Sequence, residues 1–216
     1  MKFETKYLIR WGIPGWVFLL TVGIFLIVSK DIDAFKLINK DPVKSLSAII
    51  TLASIGVPVG YLFHQLYFGY SWVASKRKGI YKITGNITGY IRKFPNDDEK
   101  EYLYLEYLWQ SELSLMNQNK RDYLAERYRH LLSTTHSLGV LFFSVLTSFI
   151  ISLFIIKSIS LGALDIVLVV SIEVVILGFI WLNYYYYSST AMNFLGLFLN
   201  EFINQPERNQ QRITND

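Results

Sequence analysis

Four stretches of the chain are long and apolar enough to cross a lipid bilayer, and they constrain the fold more than any other feature of the sequence. They cover about residues 11–29, 46–70, 138–156 and 161–184. The hydrocarbon core of a bilayer needs roughly 20 apolar residues per helix, and inside it only helices and closed barrels keep their backbone polar groups paired. The sequence therefore predicts an all-α, polytopic membrane protein with four transmembrane helices.

The composition excludes most other classes of protein. Of the 216 residues, 52% are hydrophobic and 18% are charged, whereas soluble domains carry about 25% charged residues. The chain has no cysteine, which excludes disulfides, thiolate metal sites and thiol nucleophiles. It also lacks the nucleotide-binding, hydrolase and zinc-protease motifs that mark catalytic sites. We therefore predict no catalytic residue, no metal and no cofactor.

The basic residues predict the orientation in the membrane. Sixteen of the 21 Lys and Arg residues lie in the N-terminal, middle and C-terminal polar segments, and five lie in the loops after the first and third predicted spans. Loops that stay in the cytoplasm carry such an excess. Both termini and residues 71–137 are therefore expected on the cytoplasmic side of a multi-pass protein of the inner (cytoplasmic) membrane.

The spans divide the chain into four predicted regions. Residues 1–70 hold the N-terminal tail and the first two spans, residues 71–137 form a cytoplasmic helical segment, and residues 138–187 hold the last two spans. Residues 188–216 begin with an apolar helix, which either continues the fourth span or lies in the membrane interface. A disordered tail is expected to follow it.

The middle segment is predicted to be a helical hairpin. Asn96, after a break at Phe94-Pro95, is the expected N-cap of a helix that runs to about Met116. A turn at 117–119 precedes a second helix, which starts near Lys120 and runs on into the third span. Residues 82–91 fit either a β-hairpin or a helix, and we favour the helix.

Glu173 is the most informative single residue. It lies near the middle of the fourth predicted span, where a charged side chain costs at least ~2.5–3.5 kcal/mol on insertion scales. It must therefore face the bundle interior, a subunit interface or a water-filled path. A structural hydrogen bond, an ion or proton path and a chemical role remain open as explanations.

The other three spans also place polar side chains at a similar predicted depth. These residues are Thr21, Ser54, Thr147 and Ser148. Together with Glu173 they predict an intramembrane polar layer, of the kind that holds a buried proton or a passing cation. The alternative is that they simply join helices to one another.

Small residues predict where the helices meet. Gly56 and Gly60 flank Pro58 in a G-x-x-x-G pattern, and Ser144, Ser148 and Ser152 repeat every four residues. Both patterns allow close helix contact. Packing within one subunit and packing between subunits remain alternatives, and Pro58 between two glycines is a candidate hinge.

Two further features are candidate contact sites. Lys76, Arg77 and Lys78 follow the second span and predict contact with anionic lipid or an acidic partner. Trp109 lies on the helical segment, and residues 97–132 are a candidate site for a cytoplasmic protein partner. Nucleic acid is not expected as a partner.

These features support three functional hypotheses. The first is a non-enzymatic, self-associating membrane protein, forming a channel, a pore or a membrane-state sensor. The second is a membrane anchor that recruits a cytoplasmic effector; the layout resembles that of small membrane components of prokaryotic antiphage systems, which implies a role in defence. The third is an intramembrane enzyme or transporter subunit that uses Glu173 and His64.

Overall fold

The computed structural model describes residues 5–29, 42–71, 79–157 and 163–204, and in these ranges the backbone forms helices and turns without strands. The all-α prediction is confirmed. In chain order the helices are α1 (Thr5–Ser29), α2 (Pro42–Gly69), α3 (Ile80–Thr84), α4 (Asp98–Ser114), α5 (Gln118–Lys157) and α6 (Ala163–Ile203).

Among the described residues, two helices are long and apolar enough to cross a membrane. The qualifying segments are Gln118–Ile156 in α5 and Ile166–Ile203 in α6, and a shorter apolar helical segment covers Trp11–Ile27 in α1. Much of the apolar surface of α6 is solvent-exposed in the isolated chain, which suits a helix surrounded by lipid or by other subunits.

The chain divides into two compact units. The first unit consists of Met1–Tyr70 and His136–Tyr184, and the second consists of Ser71–Thr135 and Tyr185–Asp216. The second unit thus combines the middle segment with the C-terminal part of α6. The sequence predicts these as two separate regions, because nothing in it pairs residues so far apart.

In the first unit, α1 and α2 approach until their backbones touch. A Cβ atom placed on Gly15 would overlap the carbonyl oxygen of Gly56, and one placed on Gly60 would overlap the carbonyl oxygen of Trp11. The indole Nε1 of Trp16 donates to the carbonyl oxygen of Ala53, at 2.9 Å. The glycine pair of α2 therefore packs within the chain, which is one of the two assignments left open by the sequence.

α5 joins α1 through a serine. The Ser144 hydroxyl donates to the Pro14 carbonyl oxygen at 2.5 Å, and Ser144 is fully buried. Farther along, Gly139 leaves room for the ring of Tyr67, which belongs to a small core with Phe63 and Val140. The small residues of α5 thus also serve packing within one chain.

The second unit has its own apolar core. It joins α3, α4 and the C-terminal part of α6, because each carries an apolar stripe at helical spacing. The buried members are Ile80, Ile83, Ile87, Leu105, Trp109, Leu113, Leu195, Phe198, Leu199 and Phe202. This core accounts for the apolar residues after the tyrosine run, which belong to the same continuous helix as the fourth predicted span.

Two predicted helix starts differ slightly from the observed ones. The N-cap of α4 is Asp97 rather than Asn96, and its carboxylate accepts from the Lys100 amide at 3.0 Å. α5 begins at Gln118, two residues before the predicted Lys120, because Asn117 caps it. Residues 82–91 form neither a hairpin nor a full helix: α3 ends at Thr84 and turns follow.

The α1–α2 contact makes a clear prediction for glycine substitutions. Gly60→Ala should destabilise the protein by about 1–3 kcal/mol, since the added methyl group forces two backbones apart. Gly23→Ala is the matched control, because Gly23 lies in α1 and a methyl group added there would meet no atom within 4 Å. Thermal unfolding in detergent, followed by tryptophan fluorescence, tests this. Equal melting temperatures for the two variants would contradict the close contact.

The Asp97 cap predicts a pH dependence. Hydrogen bonding to the Lys100 amide lowers the pKa of Asp97. The contribution of the cap is therefore complete above the ordinary carboxyl pKa of about 3.9 and is lost as the pH falls through the lowered value. The amide resonances of residues 98–101 should report fraying of α4 in acid. Asp97→Asn should remove this transition, since asparagine caps without titrating.

Candidate functional site

Glu173 is the buried acidic residue of the first unit among the residues that the structure describes. It lies on α6 and is 7% exposed, whereas its neighbours Ile172 and Val174 are both more than half exposed. Its carboxylate oxygen Oε2 is buried without a hydrogen-bond partner. An unpaired buried polar atom is costly, so this carboxyl group requires an explanation.

Interhelical contacts give the height of Glu173 in the bundle. The rings of Phe142 on α5 and Trp181 on α6 lie 5.5 Å apart. Because α5 and α6 run antiparallel, eight residues forward from Phe142 and eight residues back from Trp181 reach the same height along the bundle. Glu173 is therefore level with Ile150. Ser148 and Ser152 are two residues from Ile150 in either direction, which is an axial offset of about 3 Å.

The same reasoning places the polar residues of α1 and α2. The Ser144–Pro14 hydrogen bond brings Ile150 level with Leu20, so Thr21 lies within about 2 Å of the height of Glu173. Gly15 packs between Gly56 and Gly60. Ser54 consequently lies near this height, while Pro58 lies about 8 Å nearer the end of the bundle that contains Trp11.

The hydroxyl groups of the predicted polar layer do not form a shared network. Each donates to its own helix, at 2.8–2.9 Å: Thr21 to Val17, Ser54 to Ile50, Thr147 to Phe143 and Ser148 to Val145. Such bonds satisfy the hydroxyl proton and leave lone pairs on the oxygen. The four hydroxyl groups are therefore satisfied within their own helices, and Ser54 lies on the exposed surface of α2.

Ser152 differs from the other serines of α5. It is 1% exposed, and its Oγ has no hydrogen-bond partner among the described residues. The sequence pattern assigns it to helix packing alone. Its oxygen is therefore a second buried atom without a partner, at a height close to that of Glu173.

His64 does not pair with Glu173. Its Nδ1 lies 3.0 Å from the carbonyl oxygen of Gly60, and its position on α2 is about 16 Å from the height of Glu173. The predicted alternative of an intramembrane site using both residues therefore lacks its geometry.

The two predicted contact sites have different outcomes. Lys76, Arg77 and Lys78 lie outside the described residues. Trp109 is 2% exposed, with its ring centroid 4.3 Å from that of Phe198 and 5.1 Å from that of Tyr128. It belongs to the core of the second unit and is not displayed for a partner.

Sequence reasoning missed Glu101, the central polar group of the second unit. Glu101 is fully buried and accepts from the Tyr90 hydroxyl at 2.5 Å and from the Phe94 amide at 2.6 Å. Burial and the hydrogen bond to Glu101 raise the pKa of Tyr90. The signal was present: Glu101 lies four residues before Leu105, on the same buried stripe.

No protein-family model, curated protein or solved structure matches this chain in sequence or fold. The fold itself defines the class: an all-helical protein with two candidate membrane-spanning helices and a separate helical unit.

Glu101 generates a test of the second unit. Glu101→Leu should destabilise this unit by several kcal/mol, because the Tyr90 hydroxyl and the Phe94 amide each lose an acceptor at about 1–3 kcal/mol per buried group. Hydrogen exchange of residues 87–101 should accelerate. Glu106→Leu is the matched control, since Glu106 lies on the same helix with an exposed side chain. Unchanged exchange in Glu101→Leu would show that the buried carboxylate does not hold the loop.

Proposed function

We propose that the protein is a non-enzymatic, self-associating integral membrane protein that acts as a channel, a pore or a sensor of the membrane state. In this proposal all four apolar helices cross the inner membrane, both termini are cytoplasmic, and the second unit is the cytoplasmic part. The observation that carries the proposal is Glu173, a buried carboxyl group with an unpaired oxygen at mid-height in an apolar bundle.

The cost of burying Glu173 supports a functional role for it. An ionisable residue at the centre of a span is expensive, and such residues usually mark a path or an interface. Thr21 on α1 and Thr147 and Ser148 on α5, at a similar height, supply hydroxyl oxygens on two other helices. A purely structural role would instead pair the carboxyl group, as Glu101 is paired in the second unit.

Self-association follows from the number of helices and their exposed surface. Four helices pack around side chains and leave no room for a conducting path. The face of α6 beside Glu173 exposes large apolar residues, including Leu168, Ile172 and Ile176. Further copies packed there would bring their Glu173 side chains around a common axis.

Gly56, Pro58 and Gly60 suggest how such a bundle moves. The two glycines hold α2 against α1, while Pro58 lacks the amide that would bond the Ser54 carbonyl. This turn of α2 lacks one backbone hydrogen bond and is also held against α1. We therefore expect α2 to bend at this turn. We assign this turn the role of a hinge.

The decisive test combines particle mass with conductance. Full-length protein in nanodiscs should give a discrete particle of four or more subunits by mass photometry. In planar bilayers, Glu173→Gln should change the conductance or its pH response, because it removes the ionisable group while keeping the shape. Thr51→Val is the control, since its side chain is exposed and its hydroxyl bonds its own helix. A monomeric, non-conducting particle would refute the channel.

A second candidate function is recruitment of a cytoplasmic effector. Leu103 and Tyr107 are exposed one turn apart on α4, opposite the stripe that builds the core. Tyr107→Glu should abolish capture of an effector while leaving the unit folded. Trp109→Ala is unsuitable here, since emptying a buried aromatic site costs about 3–5 kcal/mol. Retained effector capture in Tyr107→Glu would exclude this surface.

A further inference from the structure

We propose that Glu173, Ser148 and Ser152 form a binding site for a small monovalent cation, a proton or Na⁺. This inference rests on the role given to Glu173 above and names the ion that it binds. The site lies between α5 and α6, at the height of Ile150, inside the first unit.

Two buried oxygens without hydrogen-bond partners lie at similar heights on α5 and α6, and we place them in one site. The Oε2 of Glu173 and the Oγ of Ser152 are both buried without a hydrogen-bond partner among the described residues, and both side chains are more than nine-tenths buried. The two residues belong to neighbouring antiparallel helices, and their heights along the helix axis differ by about 3 Å. Since they do not bond each other in the structure, a small ion held between them would satisfy both.

Charge balance supports such an ion. The described side chains of the first unit, in 11–27, 46–47, 50–70, 136–156 and 166–184, include no Lys or Arg. A carboxylate in an apolar bundle is stable only when neutralised. Because none of these side chains supplies a fixed positive charge, we assign the neutralising charge to a bound proton or Na⁺.

The available atoms define the chemistry of the ligand. The site offers a carboxylate and two hydroxyl oxygens, with the Ser148 proton already committed to the Val145 carbonyl. Hard cations prefer oxygen ligands. One carboxylate neutralises one positive charge, so a divalent ion would leave an uncompensated charge in the bundle.

Among the described side chains, the other titratable groups of the first unit lie farther along the helices. Tyr61 on α2 is about 12 Å from the height of Glu173, and His64 is about 16 Å away. His136 on α5 is about 21 Å away by the same measure, and Tyr184 on α6 is about as far as His64. We therefore assign the titration of the site to Glu173.

The test is infrared spectroscopy of the full chain in nanodiscs. The carboxyl C=O band of Glu173 is identified as the difference between wild type and Glu173→Gln, and its midpoint pH is measured in choline, K⁺ and Na⁺ chloride. A band that titrates identically in all three salts identifies the proton as the ligand. A midpoint that falls as Na⁺ rises, but not as K⁺ rises, identifies Na⁺ as a competing ligand.

Serine variants decide whether the site includes α5. Ser152→Ala should shift the proton midpoint or the Na⁺ affinity about tenfold, as expected for the loss of one charge-assisted contact. Thr51→Val is the matched control, since the Thr51 side chain is exposed on α2 and its hydroxyl bonds its own helix. Equal behaviour of the two variants would overturn the proposed site, as would a carboxylate that is ionised throughout and insensitive to Na⁺.

This readout is independent of assembly and conduction. A monomer without conductance that still shows a Ser152-dependent carboxyl band would refute the channel and support the ion site. Conductance that depends on Glu173, with a band unaffected by Ser152→Ala, would support the channel and refute the site.

Discussion

The backbone contact between α1 and α2 is the constraint on which the first unit depends. Gly15, Gly56 and Gly60 let the two helices touch, and the Ser144 hydroxyl then reaches the Pro14 carbonyl to add α5. In a bilayer, apolar burial does not drive helices together, so close packing and interhelical hydrogen bonds must. The contact also sets the heights of the polar residues on α1 and α2. A slip of one turn between these helices would separate Thr21 and Ser54 from each other.

The second unit follows the physics of soluble proteins. Its core buries Leu105, Trp109 and Leu199, and its buried carboxylate, Glu101, is fully engaged by donors from residues 90–94. α5 and α6 each contribute to both units. The two units therefore suit two different solvents. In the second unit polar groups are paired in the core and exposed outside, whereas in the first unit most of the large exposed side chains are apolar.

Much of this architecture can be predicted from the sequence, and the exceptions have identifiable causes. Apolar windows and caps are local signals, so they predict the helices, with ends wrong by one or two residues at Asp97 and Gln118. The core that joins Ile83 to Leu195 depends on residues more than 100 positions apart, and no local pattern carries that information. Trp109 is predicted as a partner or lipid contact but lies in the core of the second unit, because a stripe shows which face is apolar but not what covers it. The burial of Glu101 is not predicted from the sequence, because acidic residues are expected to be solvated.

The two buried glutamates show what distinguishes a structural carboxylate from a functional one. Glu101 accepts from two backbone amides and a tyrosine hydroxyl, so its charge is compensated by fixed dipoles and needs no ion. Glu173 has neither fixed donors for Oε2 nor a described basic residue at its height. Fixed donors around a carboxylate favour a single charge state. For Glu101, removing these donors requires unfolding residues 90–94. Mobile compensation allows the charge state to change while the helices stay packed, and that property is what a conducting or sensing site requires.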